Sequence, residues 1–215
     1  MTDTQIIAIR HGETEWNLKG RFQGHQDSPL SPLGRRQAAA LGQRLAREPF
    51  DIIYSSDLGR ALDTAGAIAG LSGHTVRADA QLRERNFGVL EGLTEAQIIA
   101  AHGETLERLR RPEPEFRIPG GESLREAYDR CVSAFTRLAR LHPGRTVVVV
   151  CHGGVLAHLY QHATAAPIDT PRKFSVHNAS INRFRYAAGL WQLVHWGDVS
   201  HLEDLFDEHQ TRSGA

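Results

Sequence analysis

The sequence has few cysteines, no long apolar run and no net charge. Two cysteines among 215 residues provide neither a disulfide framework nor a zinc quartet. The longest apolar run, 147–151, is far too short to cross a membrane, and the apolar stretch at the N-terminus is too short for a signal peptide. With 25 basic and 25 acidic residues, the chain has no general electrostatic attraction for nucleic acid. We therefore expect a cytoplasmic protein that binds neither a membrane nor a nucleic acid.

Short runs rich in β-branched residues alternate with helical patterns along most of the chain. We predict strands at four places: 5–9, 51–54, 75–78 and 146–151. Four helices are predicted from their start signals: Ser31, Asp57 and Ser123 as N-caps, and Gly153. Segments 181–186 and 190–196 flank a turn and predict a hairpin. The alternation predicts an α/β fold, a three-layer αβα sandwich around a mostly parallel sheet with an antiparallel edge strand.

Residues 86–121 fit this alternation poorly. They contain two short helical patterns, 95–102 and 104–111, followed by a loop punctuated by prolines. We predict that residues 86–121 are a small helical cap inserted over the sheet of a single domain, 1–215. Residues 207–215 are predicted to be a frayed tail.

Arginine and histidine follow the ends of three predicted strands. Arg10 and His11 end the first strand, Arg60 lies in the first turn of the helix after the second, and His152 follows the strand 146–151. Because ligands bind beyond the carboxyl ends of strands in such sheets, we expect these four side chains to converge there. Guanidinium forks suit phosphate oxygens, and a glycine beside each histidine permits close approach of a ligand. Each residue alone is explained by an ordinary structural role, but the group of four indicates a phosphate site.

Five sequence blocks occur in an order that is typical of one family. They are 10–17 (RHGETEWN), 56–65 (SDLGRALDTA), 82–92 (LRERNFGVLEG), 120–123 (GGES) and 152–154 (HGG). With these blocks the chain resembles the histidine phosphatase superfamily, in its phosphoglycerate mutase-like branch, from about residue 5 to about residue 200.

The resemblance implies a reaction through a phosphohistidine. His11 would be the nucleophile, and neighbouring cations are expected to keep its imidazole neutral. Arg10, Arg60 and His152 would hold the phosphate oxygens. Glu84 would protonate the leaving alkoxide and then activate water, although without the resemblance it would be interpreted as a solvated charge. The resemblance also implies substrate contacts from Asn17, Gln23, Gly24 and Gly153.

Three functions are open at this point. The main hypothesis is a phosphomonoester phosphatase that acts on a small phosphorylated metabolite without a cofactor. The alternatives are a phosphoglycerate mutase with 2,3-bisphosphoglycerate as cofactor, and a catalytically silent protein that binds a phosphate ligand. A homodimer is also left open. The departures from the family's mutases favour a phosphatase: the short insertion, Glu95 in place of Lys, Phe87 in place of Tyr, Gly154 in place of Asn, and Arg110-Arg111 on an expected solvated face.

Several residues have the spacing of other sites but are assigned to structure. Cys131 and Arg137 match a cysteine-phosphatase loop, yet the segment is an amphipathic helix without glycine, so we predict a core cysteine. His158 and His162 have metal-binding spacing but no evident third ligand, so they are taken as structural or surface residues and no metal site is predicted. Spacing cannot decide whether three further histidines line the pocket rim: His177, His195 and His201.

Overall fold

A mixed six-stranded sheet lies at the centre of the computed structural model, which describes residues 3–111, 113–170 and 173–205. The strands are β1 (Thr4–Arg10), β2 (Ile52–Ser55), β3 (Val76–Ala78), β4 (Thr146–Cys151), β5 (Ile181–Ala187) and β6 (Leu190–Asp198). Their order is β3-β2-β4-β1-β5-β6, and the first four are parallel. Strands β5 and β6 pair antiparallel. The predicted sheet with its antiparallel edge is confirmed, and the predicted tail lies outside the described residues.

Helices cover both faces of this sheet. They are α1 (Glu15–Leu18), α2 (Pro32–Leu45), α3 (Gly59–Ser72), α4 (Glu95–Leu109), α5 (Leu124–Leu141) and α6 (Gly153–Ala163). Because successive side chains of a strand point to opposite faces, Ile7 packs with Leu41 of α2 while Ile6 packs with Phe135 of α5. Each such burial stabilises the fold by about 1.5–3 kcal/mol. Three layers result, as predicted. None of the helices in the described parts of the chain combines the length and apolar character needed to span a membrane.

The predicted helix starts are confirmed except for one cap. Ser31 and Ser123 each accept a hydrogen bond from the backbone N–H three residues further on. The predicted cap by Asp57 is wrong, because α3 has Leu58 at its N-cap and no side-chain cap hydrogen bond. Asp57 instead accepts two hydrogen bonds from the guanidinium of Arg83, at 2.7 and 2.6 Å. This charge-assisted bidentate pair engages both oxygens of the carboxylate.

The segment 86–121 packs around a small hydrophobic cluster of its own. Its buried members are Leu90, Ile98, Leu106 and Ile118. Phe22, from the loop after α1, packs against this cluster and joins it to the rest of the protein. The two predicted helices are the two parts of α4, which is kinked at His102 (φ −141°, ψ 35°).

Candidate active site

The ends of β1, β2 and β4 bring the predicted arginines and histidines together. Strand β4 lies between β1 and β2, so the three carboxyl ends are adjacent. The imidazole centroids of His11 and His152 are 5.2 Å apart. Arg60 is fully buried at the start of α3, and Arg10 donates a hydrogen bond to the carbonyl of Val176 at 2.5 Å. The predicted convergence at one sheet edge is therefore confirmed.

The His11 imidazole is buried and has a defined tautomer. Only 3% of the residue is exposed, and Nδ1 lies 2.7 Å from the carbonyl oxygen of Gly12. Because a carbonyl oxygen can only accept, Nδ1 carries the hydrogen and Nε2 retains its lone pair. Burial, followed by the charges of Arg60 and Arg10, lowers the pKa of His11 well below its usual range. The imidazole is therefore neutral at neutral pH, and burial contributes more to this than the cations that the sequence indicated.

The loop that carries His11 is held from three sides. A Cβ on Gly12 would lie 2.5 Å from the carbonyl oxygen of Gly34, so α2 approaches this loop as closely as a backbone can. The Gly12 N–H donates to Thr64 Oγ1 of α3 at 3.0 Å. Asn178 Nδ2, just before β5, donates to the carbonyl of His11 at 3.0 Å. These contacts fix the backbone on which the imidazole stands.

His152 is fully buried and bonded on one side only. Its Nε2 lies 2.8 Å from the hydroxyl oxygen of Ser56. Its Nδ1 has no hydrogen-bond partner within the residues that the structure describes. Burial, followed by the charges of Arg60, His11 and Arg10, lowers the pKa of His152 well below its usual range. A neutral ring with one unpartnered buried nitrogen is suited to bind a polar ligand atom.

Most of the Arg60 guanidinium is engaged by one loop. Nη2 donates to the carbonyl of Gly24, and Nη1 donates to the carbonyl of Gln26 and to the carboxylate of Asp27, all at 2.8–2.9 Å. Its buried Nε has no hydrogen-bond partner in the described ranges. Arg60 therefore holds this loop against the strand ends, and its Nε–H can donate to a ligand.

The resemblance implied substrate contacts from four further residues. Three of them, Asn17, Gln23 and Gly24, form hydrogen bonds with other residues near the site. Asn17 Oδ1 accepts from the backbone N–H of Thr14, the N-cap of α1, at 3.1 Å and so completes a capping box. Gln23 accepts from the Thr14 hydroxyl at 3.1 Å. Gly24 has φ +56° and binds Arg60 through its carbonyl. Only Gly153 lines the large cavity described below.

The Glu84 carboxylate is held by two backbone N–H groups. Oε1 accepts from Arg85 and Oε2 accepts from Gly154, both at 2.9 Å. Gly154 is the second residue of α6, so the carboxylate lies at the N-terminus of the helix that follows His152. A Cβ on Gly154 would lie 3.0 Å from the Glu84 carboxyl carbon and would overlap Oε1. Glu84 is therefore an anchored group, and its interpretation as a solvated charge is wrong.

A cavity of about 980 Å³ opens above these groups. Its lining includes Arg10, Glu84, Gly153 and Gly154, whereas His11 is buried and is not among its lining residues. Six large apolar side chains also line it, beside several polar ones: Phe22, Phe87, Leu109, Leu124, Ile168 and Phe174. The volume lies at the upper end of the range of about 300–1,000 Å³ that is usual for small-molecule sites.

Arg110 and Arg111 also line this cavity. Both are more than half exposed, and they pair with three glutamates: Glu95, Glu107 and Glu113. The predicted solvated face is therefore confirmed, and the structure adds that its two arginines pair with glutamates and border the cavity.

The remaining histidines divide between the cavity wall and other surfaces. His177 lines the cavity, while His195 and His201 do not. His158 was assigned to structure or surface. It is 5% exposed and lines the cavity near Glu84, and burial lowers its pKa to about 4. The structural assignment of His158 is therefore incomplete, since it also forms part of the cavity wall.

Cys131 lies in the core and not in a phosphate loop. It is fully buried on α5, and burial raises the pKa of its thiol to about 12. Such a thiol is a poor nucleophile, and the predicted core cysteine is confirmed.

The sequence analysis missed three residues that support the site: Ser56, Asn178 and Asp27. Ser56 is the first residue of the block 56–65, which could have indicated a role for its hydroxyl, but the sequence alone assigned it none. Asn178 and Asp27 belong to no block, and only the folded chain brings them to His11 and Arg60.

This combination of fold and site defines a family. Residues 6–199 match the model of the histidine phosphatase superfamily (branch 1), and the chain belongs to this superfamily. It is 40% identical to phosphoglycerate mutase-like protein 4 of Arabidopsis thaliana over 93% of this chain and 87% of the relative. It is 38% identical to the metal-independent phosphoserine phosphatase of the same plant over 94% and 84%. The solved mycobacterial glucosyl-3-phosphoglycerate phosphatase superposes with a TM-score of 0.80 at 34% identity, over 91% of this chain and 99% of that one.

Proposed function

We propose that the protein is a phosphomonoester phosphatase that works through a phosphohistidine on His11. The observation that carries the proposal is the His11 tautomer: Nδ1 donates to the Gly12 carbonyl, which leaves the Nε2 lone pair for attack. Two arginines and a second neutral histidine surround this nucleophile, and the anchored Glu84 carboxylate lines the cavity. Relatives with phosphatase names support hydrolysis as the reaction class.

In the first step, His11 Nε2 attacks the phosphorus and the ester P–O bond breaks. Arg10, Arg60 Nε and His152 are the groups available to the phosphoryl oxygens, where catalysis depends mainly on positioning and charge stabilisation. Glu84 donates a proton to the leaving alkoxide, and the alcohol departs.

In the second step, water attacks the phosphohistidine on the side that the alcohol has left. Glu84, now a carboxylate, accepts a proton from this water as the new P–O bond forms and the P–N bond breaks. Inorganic phosphate leaves, and His11 returns to the neutral form that its burial favours.

Transfer to water, and not back to a phosphorylated substrate, is supported by the charges around the cavity. A mutase has to retain a bisphosphate, which requires a second cationic cluster. Arg110 and Arg111 are exposed and compensated by glutamates, so they supply little net positive charge. Gly154 also leaves the space into which the Glu84 carboxylate fits, and a larger residue would displace that carboxylate.

We further propose a cytoplasmic enzyme with one domain, no cofactor and a small phosphorylated metabolite as substrate. Two buried, unpaired cysteines support a reducing compartment.

Two assays test this function. Quenching in alkaline detergent, which preserves the acid-labile P–N bond, after mixing with a labelled phosphomonoester should trap label on His11. A protein that binds the phosphomonoester but carries no label would be a binding protein. Incubation with 3-phosphoglycerate, with and without 2,3-bisphosphoglycerate, should release phosphate. Rapid formation of 2-phosphoglycerate with little free phosphate would identify a mutase.

A further inference from the structure

An ion pair between Arg130 and Glu122 lies beside the segment that carries Glu84, and neither residue takes part in the proposed reaction. Arg130 of α5 donates from Nε and Nη2 to the two carboxylate oxygens of Glu122, at 2.8 and 2.9 Å. Their side chains are 15% and 17% exposed, so water screens this bidentate pair only weakly.

The other donors of Arg130 reach the backbone that leads to Glu84. Nη1 donates to the carbonyls of Gln81 and Arg83 at 2.9 and 2.8 Å, and Nη2 donates to the carbonyl of Glu84 at 3.2 Å. With the two bonds to Glu122 these make five, which is the full donor capacity of a guanidinium. A lysine has only three donors on one atom and cannot make the same set of bonds.

Glu122 holds the same segment from its other side. Its Oε2 accepts from the backbone N–H of Asn86 at 2.8 Å, and its carbonyl accepts two hydrogen bonds from Arg85 at 3.1 and 3.0 Å. The backbone on both sides of Glu84 is therefore bound to one pair, and this pair joins the segment to α5.

We infer that Arg130 and Glu122 are positioning residues for the general acid, and that together they set the position of the Glu84 carboxylate relative to the leaving group. The inference rests on the proposed function, because it needs Glu84 as the acid. Neither residue lines the cavity, so they act through the backbone of residues 81–86. A misplacement of about 1 Å at a catalytic group can cost about 100-fold in rate.

The test is Arg130→Lys, measured as single-turnover phosphorylation of His11. For an alkyl phosphate such as phosphoserine, which needs protonation of its leaving group, we expect the rate to fall about 100-fold. For p-nitrophenyl phosphate, whose leaving group needs little protonation, we expect a fall of about threefold or less. Glu122→Gln should also slow the alkyl phosphate more than p-nitrophenyl phosphate, but by a smaller factor than Arg130→Lys. If Arg130→Lys does not fold, Glu122→Gln takes its place in the test.

The matched control is Arg183→Lys. Arg183 of β5 also forms a bidentate pair with a glutamate, Glu48, at 2.5 and 2.8 Å, with 25% and 22% side-chain exposure. It lines no part of the cavity. This variant should lose a comparable ion pair and leave the ratio of the two rates unchanged.

Glu84→Gln separates the inference from the proposed function. If Glu84→Gln slows both substrates equally, Glu84 is not the leaving-group acid and the proposed mechanism fails. If it slows only the alkyl phosphate while Arg130→Lys and Glu122→Gln slow both equally, the pair is merely structural and the inference alone is overturned. If both hold, Arg130→Lys should have little further effect on the alkyl phosphate in the Glu84→Gln background, because residues that act as a unit are not additive.

Discussion

Replacing Gly154 by alanine tests the placement of the general acid with a single methyl group. The Gly154 N–H donates to Glu84 Oε2, and alanine keeps that N–H. The added Cβ, however, would stand well under 3.0 Å from Glu84 Oε1 and 3.0 Å from the carboxyl carbon. The substitution therefore preserves every polar group of the site and changes only the space open to the carboxylate.

The size of the effect follows from this overlap. Ordinary van der Waals contact begins near 3.4 Å, so the carboxylate has to retreat by on the order of 1 Å, which corresponds to a loss of about 100-fold in rate. The upper bound is the whole contribution of a general acid, about 100- to 10,000-fold. Stability should change little, because the helix propensity of alanine, about 1 kcal/mol better than that of glycine, offsets the hydrogen bonds from Arg85 and Gly154 that the displaced carboxylate weakens.

The assay compares kcat/KM for phosphoserine and p-nitrophenyl phosphate, together with the melting temperature. We expect a large loss for phosphoserine, a small loss for p-nitrophenyl phosphate and little change in melting temperature. Gly66→Ala is the control, since Gly66 lies within α3 with nothing within 4 Å of an added Cβ. Gly154→Ala with phosphoserine activity within threefold of wild type would show that the position of this carboxylate does not limit the reaction.

Three further outcomes are expected. His11→Ala should abolish turnover with little change in melting temperature, and activity within tenfold of wild type contradicts the assignment of the nucleophile. EDTA should leave kcat/KM unchanged because guanidinium groups stabilise the phosphate charge; a loss that a divalent cation restores counts against this mechanism. The pKa of His158 is about 4 in the folded protein and 6.5 in the unfolded chain. Between pH 4 and pH 6.5 the unfolded chain therefore binds a proton at this residue that the folded protein does not bind. Lowering the pH from 7 to 5 should therefore reduce the free energy of unfolding through His158 by about 2 kcal/mol, which His158→Gln should remove in urea titrations.

The parts of the fold that the sequence predicts correctly are those with a local cause. The run at 146–151 is β-branched and apolar throughout, and it forms β4 with the predicted bounds. Ser123 with Glu126 forms a capping box within four residues, so the start of α5 needed no tertiary information. Parallel α/β topology then brings the strand ends together, and the convergence of Arg10, His11 and His152 follows from that rule.

The errors have a different cause, because partner choice depends on the folded chain. Asp57 has the residue type and position of an N-cap, but its carboxylate pairs with Arg83, which lies 26 positions later. Asn178 lies 167 positions after His11, and no periodicity connects them. Ser56 and His152 are 96 positions apart. Short polar side chains with distant partners have no signature in a single sequence.

Glu84 combines both cases, since only the resemblance distinguished it from a surface charge. A glycine elsewhere in the sequence belongs to the same site, although only the structure shows the connection. A glycine in the first turn of α6 costs about 1 kcal/mol of helix propensity relative to alanine, and α6 begins with two. Such a local cost is expected where a site needs the space, and the Glu84 carboxylate occupies the space that a Cβ on Gly154 would take. Gly154 and Glu84, which lie 70 residues apart in the sequence, therefore depend on each other: the absence of a side chain at Gly154 allows the Glu84 carboxylate to bind there.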